Sequence, residues 1–259
     1  MRKLLILGDS FADPGPPVFH KSPSWTTIIA DECGYQVKNK AIGGASTYWS
    51  YLNFEWSAAE YDKIILVTTT PGRLYCPVPG SQPENLSSSH HTTNLFYLDL
   101  WKSKLIKGSP DYLRGVKTLD AIEAYFNYIY NFEEHRYYHN LMIEDMKKRR
   151  PDMIIVPGCW PLELPEGVPG PCLNDIASME LHHYGLTQED LSRKDKTCRA
   201  DVRRCHMSQE NNRTLAERAK GWLMGEEVII DLNDFKAPNE PIDDYFPLRH
   251  EWEKRNWPN

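Results

Sequence analysis

The sequence predicts an α/β protein in which a mainly parallel sheet lies between helices. Short apolar runs recur along the chain, helical segments separate them, and the order over the first third is strand, helix, strand, helix, strand. Short continuous apolar runs are typical of strands that are buried on both faces. Their alternation with helices favours parallel pairing through right-handed crossovers.

The first strand is predicted over residues 3–7, an apolar run that Gly8 ends. A helix is predicted over residues 24–33, because Ser24 is a suitable N-cap and Gly34 a suitable end. The chain therefore begins with a strand, a connection and a helix.

The second strand is predicted over residues 35–39, and a turn containing two glycines follows at 43–46. An aromatic-rich helix is predicted over 47–58 and a third strand over 63–68. Residues 71–115 then interrupt the alternation with proline, glycine, serine and histidine. An insertion of this length indicates a functional loop region.

Residues 116–149 have helical periodicity and form either one long helix or two. A fourth strand is predicted over 152–156, and a segment containing proline and glycine follows, with a short helix near 174–183. A helix over 208–224, with Ser208 as its N-cap, precedes one more strand or edge segment at 226–231. The tail over 234–259 closes what we interpret as a single domain over residues 1–259.

The bulk composition excludes some classes of function. Apolar residues make up 41% of the 259 residues and charged residues 25%, as in ordinary globular proteins, and the net charge is −6. This balance leaves no surplus of positive charge to neutralise a phosphate backbone, so nucleic acid is not an expected partner. No apolar run approaches the ~20 residues that span a bilayer.

The six cysteines show no metal-ligand spacing, and the N-terminus lacks the pattern of a signal peptide. We therefore expect a soluble protein with free thiols, either cytoplasmic or exported without a leader, for example in a virus particle. Two pairs of adjacent histidines, His90-His91 and His182-His183, invite a metal site. Adjacent side chains point in different directions, so we expect no metal and no organic cofactor.

Three short motifs lie where such a sheet binds ligands. Ser10 follows the first strand in a Gly-Asp-Ser motif, and open parallel sheets bind ligands beyond the carboxyl ends of their strands. The Gly-Gly turn within residues 39–46 follows the second strand, and glycine lets a backbone NH approach a reacting oxygen. His206 stands directly before the predicted helix at 208–224.

These motifs resemble the sequence blocks of the SGNH/GDSL hydrolases, a family of serine esterases and lipases. Gly-Asp-Ser resembles the first block, Asn39 to Gly44 the second, and His206 with Ser208 the last, while residues 68–73 stand where the third block belongs. The resemblance spans residues 4–223 in the family's order. It implies a flavodoxin-like three-layer α/β/α sandwich and a serine nucleophile.

The third block departs from the family pattern, because Thr70 stands where the family has an oxyanion-binding asparagine. The resemblance implies that the backbone NH groups of Ser10 and Gly44 bind the oxyanion. The Thr70 hydroxyl or the Arg73 guanidinium would supply the third donor. Losing one such donor costs on the order of 10²–10³ in rate in other serine hydrolases.

The last block also departs, because Arg203 occupies the position of the family's triad acid. Asp201 is the nearest carboxylate and our choice for orienting His206. The alternatives are a backbone carbonyl and two other carboxylates, Asp195 and Asp243. His250 is a rival base, but it lies in a proline-rich tail with no helix after it.

The resemblance implies that Ser10 attacks an acyl carbonyl while His206 takes the serine proton, and that water then hydrolyses the acyl-enzyme. Asp9 is expected to shape the turn by hydrogen bonding. The tyrosine- and tryptophan-rich segments at 48–56 and 125–138 suit sugars as well as acyl chains. The resemblance allows carbohydrate O-acetyl esters, lipid esters, thioesters and small aryl esters. We expect a small-molecule or carbohydrate ester and favour O-acetyl esters of carbohydrates. An acyltransferase on the same triad and a non-catalytic carbohydrate-binding or structural module are the alternatives.

Overall fold

The structure is a computed structural model. It describes residues 1–14, 24–75, 112–158, 170–176 and 209–235, together with residues 105, 107, 108, 110 and 207. These ranges contain four strands and five α-helices of eight or more residues.

The strands form one parallel sheet. They are β1 (Lys3–Leu7), β2 (Gln36–Asn39), β3 (Lys63–Val67) and β4 (Ile154–Val156), in the spatial order β2-β1-β3-β4. Leu4 pairs with Val37 on one side, and Leu5 pairs with Ile64 on the other. The chain therefore leaves β1 in one direction to reach β2 and returns past β1 to reach β3. This reversal creates a switch point between β1 and β3, where open α/β sheets bind ligands.

The helices are α1 (Trp25–Glu32), α2 (Thr47–Ser57), α3 (Tyr112–Tyr128), α4 (Phe132–Arg149) and α5 (Gln209–Met224). Two of their starts are fixed by serine caps, as each side-chain oxygen accepts a hydrogen bond from a backbone NH in the first turn. Ser24 accepts from Thr27 and Ser46 accepts from Trp49. The predicted Ser24 cap is thus confirmed.

The helices cover both faces of the sheet and form three layers. Alternate strand residues, such as Leu4 and Ile6, pack against α1 and α5 through Trp25, Leu215 and neighbouring apolar residues. The intervening strand residues pack against α2 and α4; this second cluster includes Leu5, Leu7, Phe54, Ile143 and Met146. The α/β class with a parallel sheet, predicted from the alternation of elements, is confirmed.

Helix α3 belongs to a third, smaller apolar cluster. Leu119 and Ile122 are buried there with Leu105, and Leu74 from the loop after β3 packs against them. This packing places α3 beside the loop that leaves the carboxyl end of β3.

The structure refines or corrects three of the predicted elements. The segment predicted as one or two helices is two, because the Asn131 side chain accepts hydrogen bonds from the backbone NH groups of Glu133 and Glu134 and starts α4. Helix α3 begins at Tyr112, within the predicted insertion. Residues 226–231 form no strand.

The absence of a strand at 226–231 has a local cause. Gly225 has a φ of 85° and ends α5, after which the chain folds back on the helix. The Glu226 NH donates to the Gly221 carbonyl, and the Trp222 indole donates to the Val228 carbonyl. These bonds hold the segment against α5.

Candidate functional site

Ser10 lies just beyond the carboxyl end of β1, at the switch point. The turn before it requires glycine, because Gly8 has a φ of 146° and a Cβ there would lie 2.8 Å from the Val67 carbonyl oxygen. After the turn, the NH groups of Ala12 and Asp13 both donate to the Asp9 carbonyl. This tight turn leaves the Ser10 side chain half-buried.

Asp9 carries a buried negative charge beside Ser10. Its side chain is fully buried, one carboxylate oxygen accepts from the Phe11 NH at 3.1 Å, and the other accepts from Arg73 Nη1 at 2.7 Å. The expectation that Asp9 shapes the turn by hydrogen bonding is confirmed. The side chain of Arg73 is only 8% exposed, so the ion pair lies almost entirely out of water.

Arg73 also connects the loops that follow three strands. Besides Asp9 after β1, its Nη1 donates at 3.1 Å to the carbonyl of Ala45, after β2, and to the hydroxyl of Thr69, after β3. Arg73 was predicted as a cationic oxyanion donor. The structure places its Nη1 against these three groups, and its role toward an oxyanion remains a prediction.

The Gly-Gly turn lies against Ser10. A Cβ on Gly43 would be 4.0 Å from the Ser10 Cβ and 3.6 Å from an Asp13 carboxylate oxygen. That oxygen accepts from the Gly43 NH at 2.8 Å. The next residue, Gly44, has a φ of 81°, a conformation that favours glycine. The structure therefore brings together the first two predicted motifs.

Two hydrogen bonds hold the chain before this turn. The Asn39 side-chain amide donates to the Ala12 carbonyl at 2.8 Å, and its oxygen accepts from the Ala41 NH at 2.9 Å. Asn39 thereby connects the loop after β2 to the turn after β1.

Thr70 lies after β3 and is half-buried. Its hydroxyl accepts a long hydrogen bond of 3.5 Å from the Gly72 NH. A Cβ on Gly72 would lie 3.9 Å from Thr70 Oγ1 and 3.1 Å from the Tyr130 hydroxyl. Tyr130, between α3 and α4, therefore lies against Gly72 in the loop that follows Thr70.

The aromatic residues around Tyr130 form a compact cluster. The ring centroid of Tyr130 lies 4.7 Å from that of His135 and 5.0 Å from that of Phe126. The Tyr125 hydroxyl and His135 Nε2 are 2.6 Å apart. Burial lowers the pKa of His135 and raises the pKa of both tyrosines, so the three rings are uncharged at neutral pH.

A second aromatic group lies at the start of α2. The Tyr75 ring is 5.3 Å from Tyr48, edge to face, and 6.5 Å from Trp49, nearly parallel. The Trp49 indole donates to the Lys40 carbonyl. Because α2 directly follows the Gly-Gly turn, these rings flank the loops around Ser10.

A buried pair supports the Gly-Gly turn from the helical layer. Thr47, the first residue of α2, has its hydroxyl 2.5 Å from Nδ1 of His139 on α4. His139 is 3% exposed, and burial lowers its pKa to about 4. The imidazole is therefore neutral at pH 7.

The predicted base His206 and the predicted acid Asp201 lie outside the described residues, as do Asp195, Arg203, Asp243 and His250. The neighbouring residue Met207 is buried in the core cluster of α1 and α5. Its carbonyl accepts from the Asn212 amide at 2.7 Å.

A chain of hydrogen bonds leads from Met207 towards Ser10. The Asn212 side-chain oxygen accepts from the Trp25 NH at 2.9 Å, and the Trp25 indole donates to the Phe11 carbonyl at 2.7 Å. Phe11 follows Ser10 directly. Two side chains therefore link the backbone at Met207 to the turn that carries the serine.

Sequence reasoning missed two residues that contact the Gly-Gly turn or the helix after it. Asp13 carried a signal, since an acid three residues after a serine in a tight turn can reach a neighbouring loop. His139 carried none, because its contact with Thr47 joins segments that are far apart in the chain.

The described ranges contain no group of three side chains that could hold a metal ion, and none of their helices is long and apolar enough to cross a membrane. Cys33 and Cys172 are free thiols, and burial with an Asp175 hydrogen bond raises the pKa of Cys172 to about 12. The histidine pairs at 90–91 and 182–183 lie outside the described residues.

Comparison with known proteins adds little to this geometry. No protein-family model and no curated protein matches the chain. It is similar to a solved structure from Desulfitobacterium hafniense DCB-2, assigned to the G-D-S-L family of lipolytic proteins, over 86% of this chain and 99% of that one. The TM-score is 0.31 and the identity 13%, a likeness too weak to carry an argument.

Proposed function

We propose that this chain is a serine ester hydrolase that works through an acyl-enzyme on Ser10. One observation carries the proposal: a half-buried serine follows β1 at the switch point, and a Cβ added to Gly43 of the glycine turn would lie 4.0 Å from the Ser10 Cβ. A nucleophile at this place meets a ligand bound beyond the carboxyl ends of the strands. The nearby glycine turn leaves room for a backbone NH to face the reacting carbonyl.

The proposed oxyanion donors are the NH groups of Ser10 and Gly44, completed by the Thr70 hydroxyl or the Arg73 guanidinium. The positive φ of Gly44 and the bond from Gly43 to Asp13 support a turn of fixed shape. Fixed donors stabilise a developing oxyanion without reorganising during the reaction. The buried Arg73–Asp9 pair supports this arrangement by holding three loops together.

His206 is the proposed general base, and Asp201 the proposed acid that orients it. The hydrogen-bond path from Met207 through Asn212 and Trp25 to Phe11 supports the choice of His206, because it connects the residue after His206 to the residue after Ser10.

In the proposed reaction His206 takes the Ser10 proton as the serine oxygen bonds to the acyl carbon. The same histidine then protonates the departing alcohol, and water hydrolyses the acyl-enzyme with His206 again as base.

The proposed substrate is a carbohydrate O-acetyl ester. The rings of Tyr48, Trp49 and Tyr75 flank the loops around Ser10, and aromatic rings supply rigid contact surfaces that suit a sugar ring. An acyltransferase would use the same residues with a sugar or another alcohol in place of water. A non-catalytic module would keep the aromatic surface without the reaction.

Hydrolysis of p-nitrophenyl acetate tests the nucleophile. We expect Ser10→Ala and His206→Ala to fall to the buffer rate while keeping the wild-type circular dichroism spectrum. Ser57→Ala, at the C-terminal end of α2, is the matched control and should keep the full rate. Equal rates for wild type and Ser10→Ala would exclude Ser10 as the nucleophile.

Two further measurements separate the alternatives. A fluorophosphonate probe should label wild type at Ser10 and leave Ser10→Ala unlabelled, whereas a non-catalytic module would leave both unlabelled. Release of acetate from an O-acetylated oligosaccharide, with and without an added sugar acceptor, distinguishes hydrolysis from acyl transfer.

A further inference from the structure

An open groove of about 470 Å³ runs along α3, and its lining contains none of the residues assigned to catalysis. Leu74 forms one wall and the face of α3 forms the other. The lining side chains of α3 include Arg114, Lys117, Ala121, Ile122 and Tyr125. Their spacing of three, four or eight residues puts them on one side of the helix.

The groove has a cationic end and an apolar end. Arg114 and Lys117 lie near the start of α3, whereas Ala121, Ile122 and Tyr125 lie one to three turns further on. A rise of 1.5 Å per residue separates Arg114 from Tyr125 by about 16 Å. The groove is therefore long and polarised along the helix axis.

Within the described part of the chain, the Arg114 and Lys117 side chains have no anionic partner. Neither the Arg114 nor the Lys117 side chain makes a hydrogen bond or an ion pair with those residues, and none of the described residues that line the groove is acidic. Both side chains are exposed, in a protein of net charge −6.

Their place in the helix is also locally unfavourable. The first turn of α3 holds no acidic residue, and the acid that precedes it in the sequence, Asp111, lies outside the described residues. The positive end of the helix dipole disfavours cations there. An anion bound beside Arg114 and Lys117 would interact favourably with both side chains and with the dipole. Charge complementarity thus points to an anionic group at this end.

We propose that this groove binds a single-chain aliphatic carboxylate. The carboxylate lies between Arg114 and Lys117, and the alkyl chain extends over Ala121 and Ile122 to the Tyr125 ring. This site is separate from Ser10 and does not rest on the proposed esterase activity. Tyr125 also contacts the His135 cluster, so the far end of the chain lies near the loop after β3.

Isothermal titration calorimetry with sodium octanoate tests the proposal at low ionic strength. We expect one octanoate to bind per protein, with weaker binding of octanol and none of acetate. The double variant Arg114→Gln/Lys117→Gln should bind octanoate about tenfold more weakly, as expected for losing two exposed charged contacts. Added salt should also weaken octanoate binding to the wild-type protein, because it screens these charges.

Two controls make the result specific. Lys38→Gln/Lys148→Gln removes two exposed charges elsewhere and should bind octanoate like wild type. Ser10→Ala should also bind normally, which distinguishes failure of this site from failure of the proposed hydrolase. Ala121→Glu, at an exposed position of α3, should abolish binding by placing a negative charge in the groove.

Cross-linking locates the ligand independently of any variant. An alkyl carboxylate with a diazirine on its terminal carbon should label the segment around Tyr125, and excess octanoate should suppress that labelling. Absence of octanoate binding to wild type would overturn the proposal, as would wild-type affinity in the Arg114→Gln/Lys117→Gln variant.

Discussion

The two edges of the sheet hold their charges in different ways. At the carboxyl edge, where the strands end, Asp9 and Arg73 form a pair with side chains 0% and 8% exposed. At the amino edge, where the strands begin, Lys220 pairs with Glu32 and Glu217, whose side chains are 40% and 57% exposed. The ion pair at the carboxyl edge is therefore buried, whereas the ion pairs at the amino edge are in contact with water.

The difference follows from how the loops are built. At the carboxyl edge, glycines let neighbouring loops approach closely: a Cβ on Gly8 would meet Val67, and a Cβ on Gly158 would lie 2.2 Å from the Thr68 carbonyl oxygen. Close approach excludes water and requires each buried polar group to have a protein partner. At the amino edge, the Glu32 and Glu217 side chains reach water, which solvates their charges.

The largest effect is expected from breaking the buried pair. Arg73→Met leaves the Asp9 carboxylate buried without its cation, and removing one member of such a pair costs about 3–5 kcal/mol of unfolding free energy. Urea denaturation at pH 7 measures this loss. The proposed esterase activity should fall as well, because Ser10 adjoins Asp9.

A double variant separates the charge from the packing. Asp9→Asn with Arg73→Met removes both charges, and the oxygen of the introduced side-chain amide can still accept from the Phe11 NH. We expect this variant to regain most of the stability that Arg73→Met loses. A double variant no more stable than Arg73→Met would show that the packing of the arginine matters more than the charge of its partner.

The contrast also explains what sequence reasoning could predict. The strands, the Ser24 cap and the position of Ser10 after β1 depend on neighbouring residues, and apolar runs and capping residues reveal them. The Arg73–Asp9 pair joins residues 64 positions apart, and the Thr47–His139 pair joins residues 92 apart. Their contacts depend on sheet order and helix packing, which local patterns do not contain.

A second, smaller effect is expected at the buried His139. The folded protein keeps this imidazole neutral down to about pH 4, whereas the unfolded chain takes up a proton near the ordinary value of 6.5. The unfolded state therefore binds more protons between these values, and stability falls as pH falls. By linkage the loss is about 2 kcal/mol at pH 5.

Urea denaturation between pH 7 and pH 5 tests this expectation, with His139→Gln as the variant that cannot titrate. The glutamine keeps a polar group opposite Thr47, so the comparison isolates the proton. We expect wild type to lose more stability than His139→Gln over this range. Parallel pH profiles would mean that the His139 proton does not set the acid sensitivity.

The smallest effect is expected at the amino edge, from Lys220→Met. Hydrogen bonds with Glu217 and Glu32 raise the pKa of Lys220, but all three groups reach water, and exposed ion pairs contribute little because solvent and salt screen them. Lys220→Met is matched to Arg73→Met, since each replaces one cation with the same apolar side chain. We expect no resolvable shift in the urea midpoint at pH 7. A loss as large as that of Arg73→Met would show that burial is not what separates the two edges.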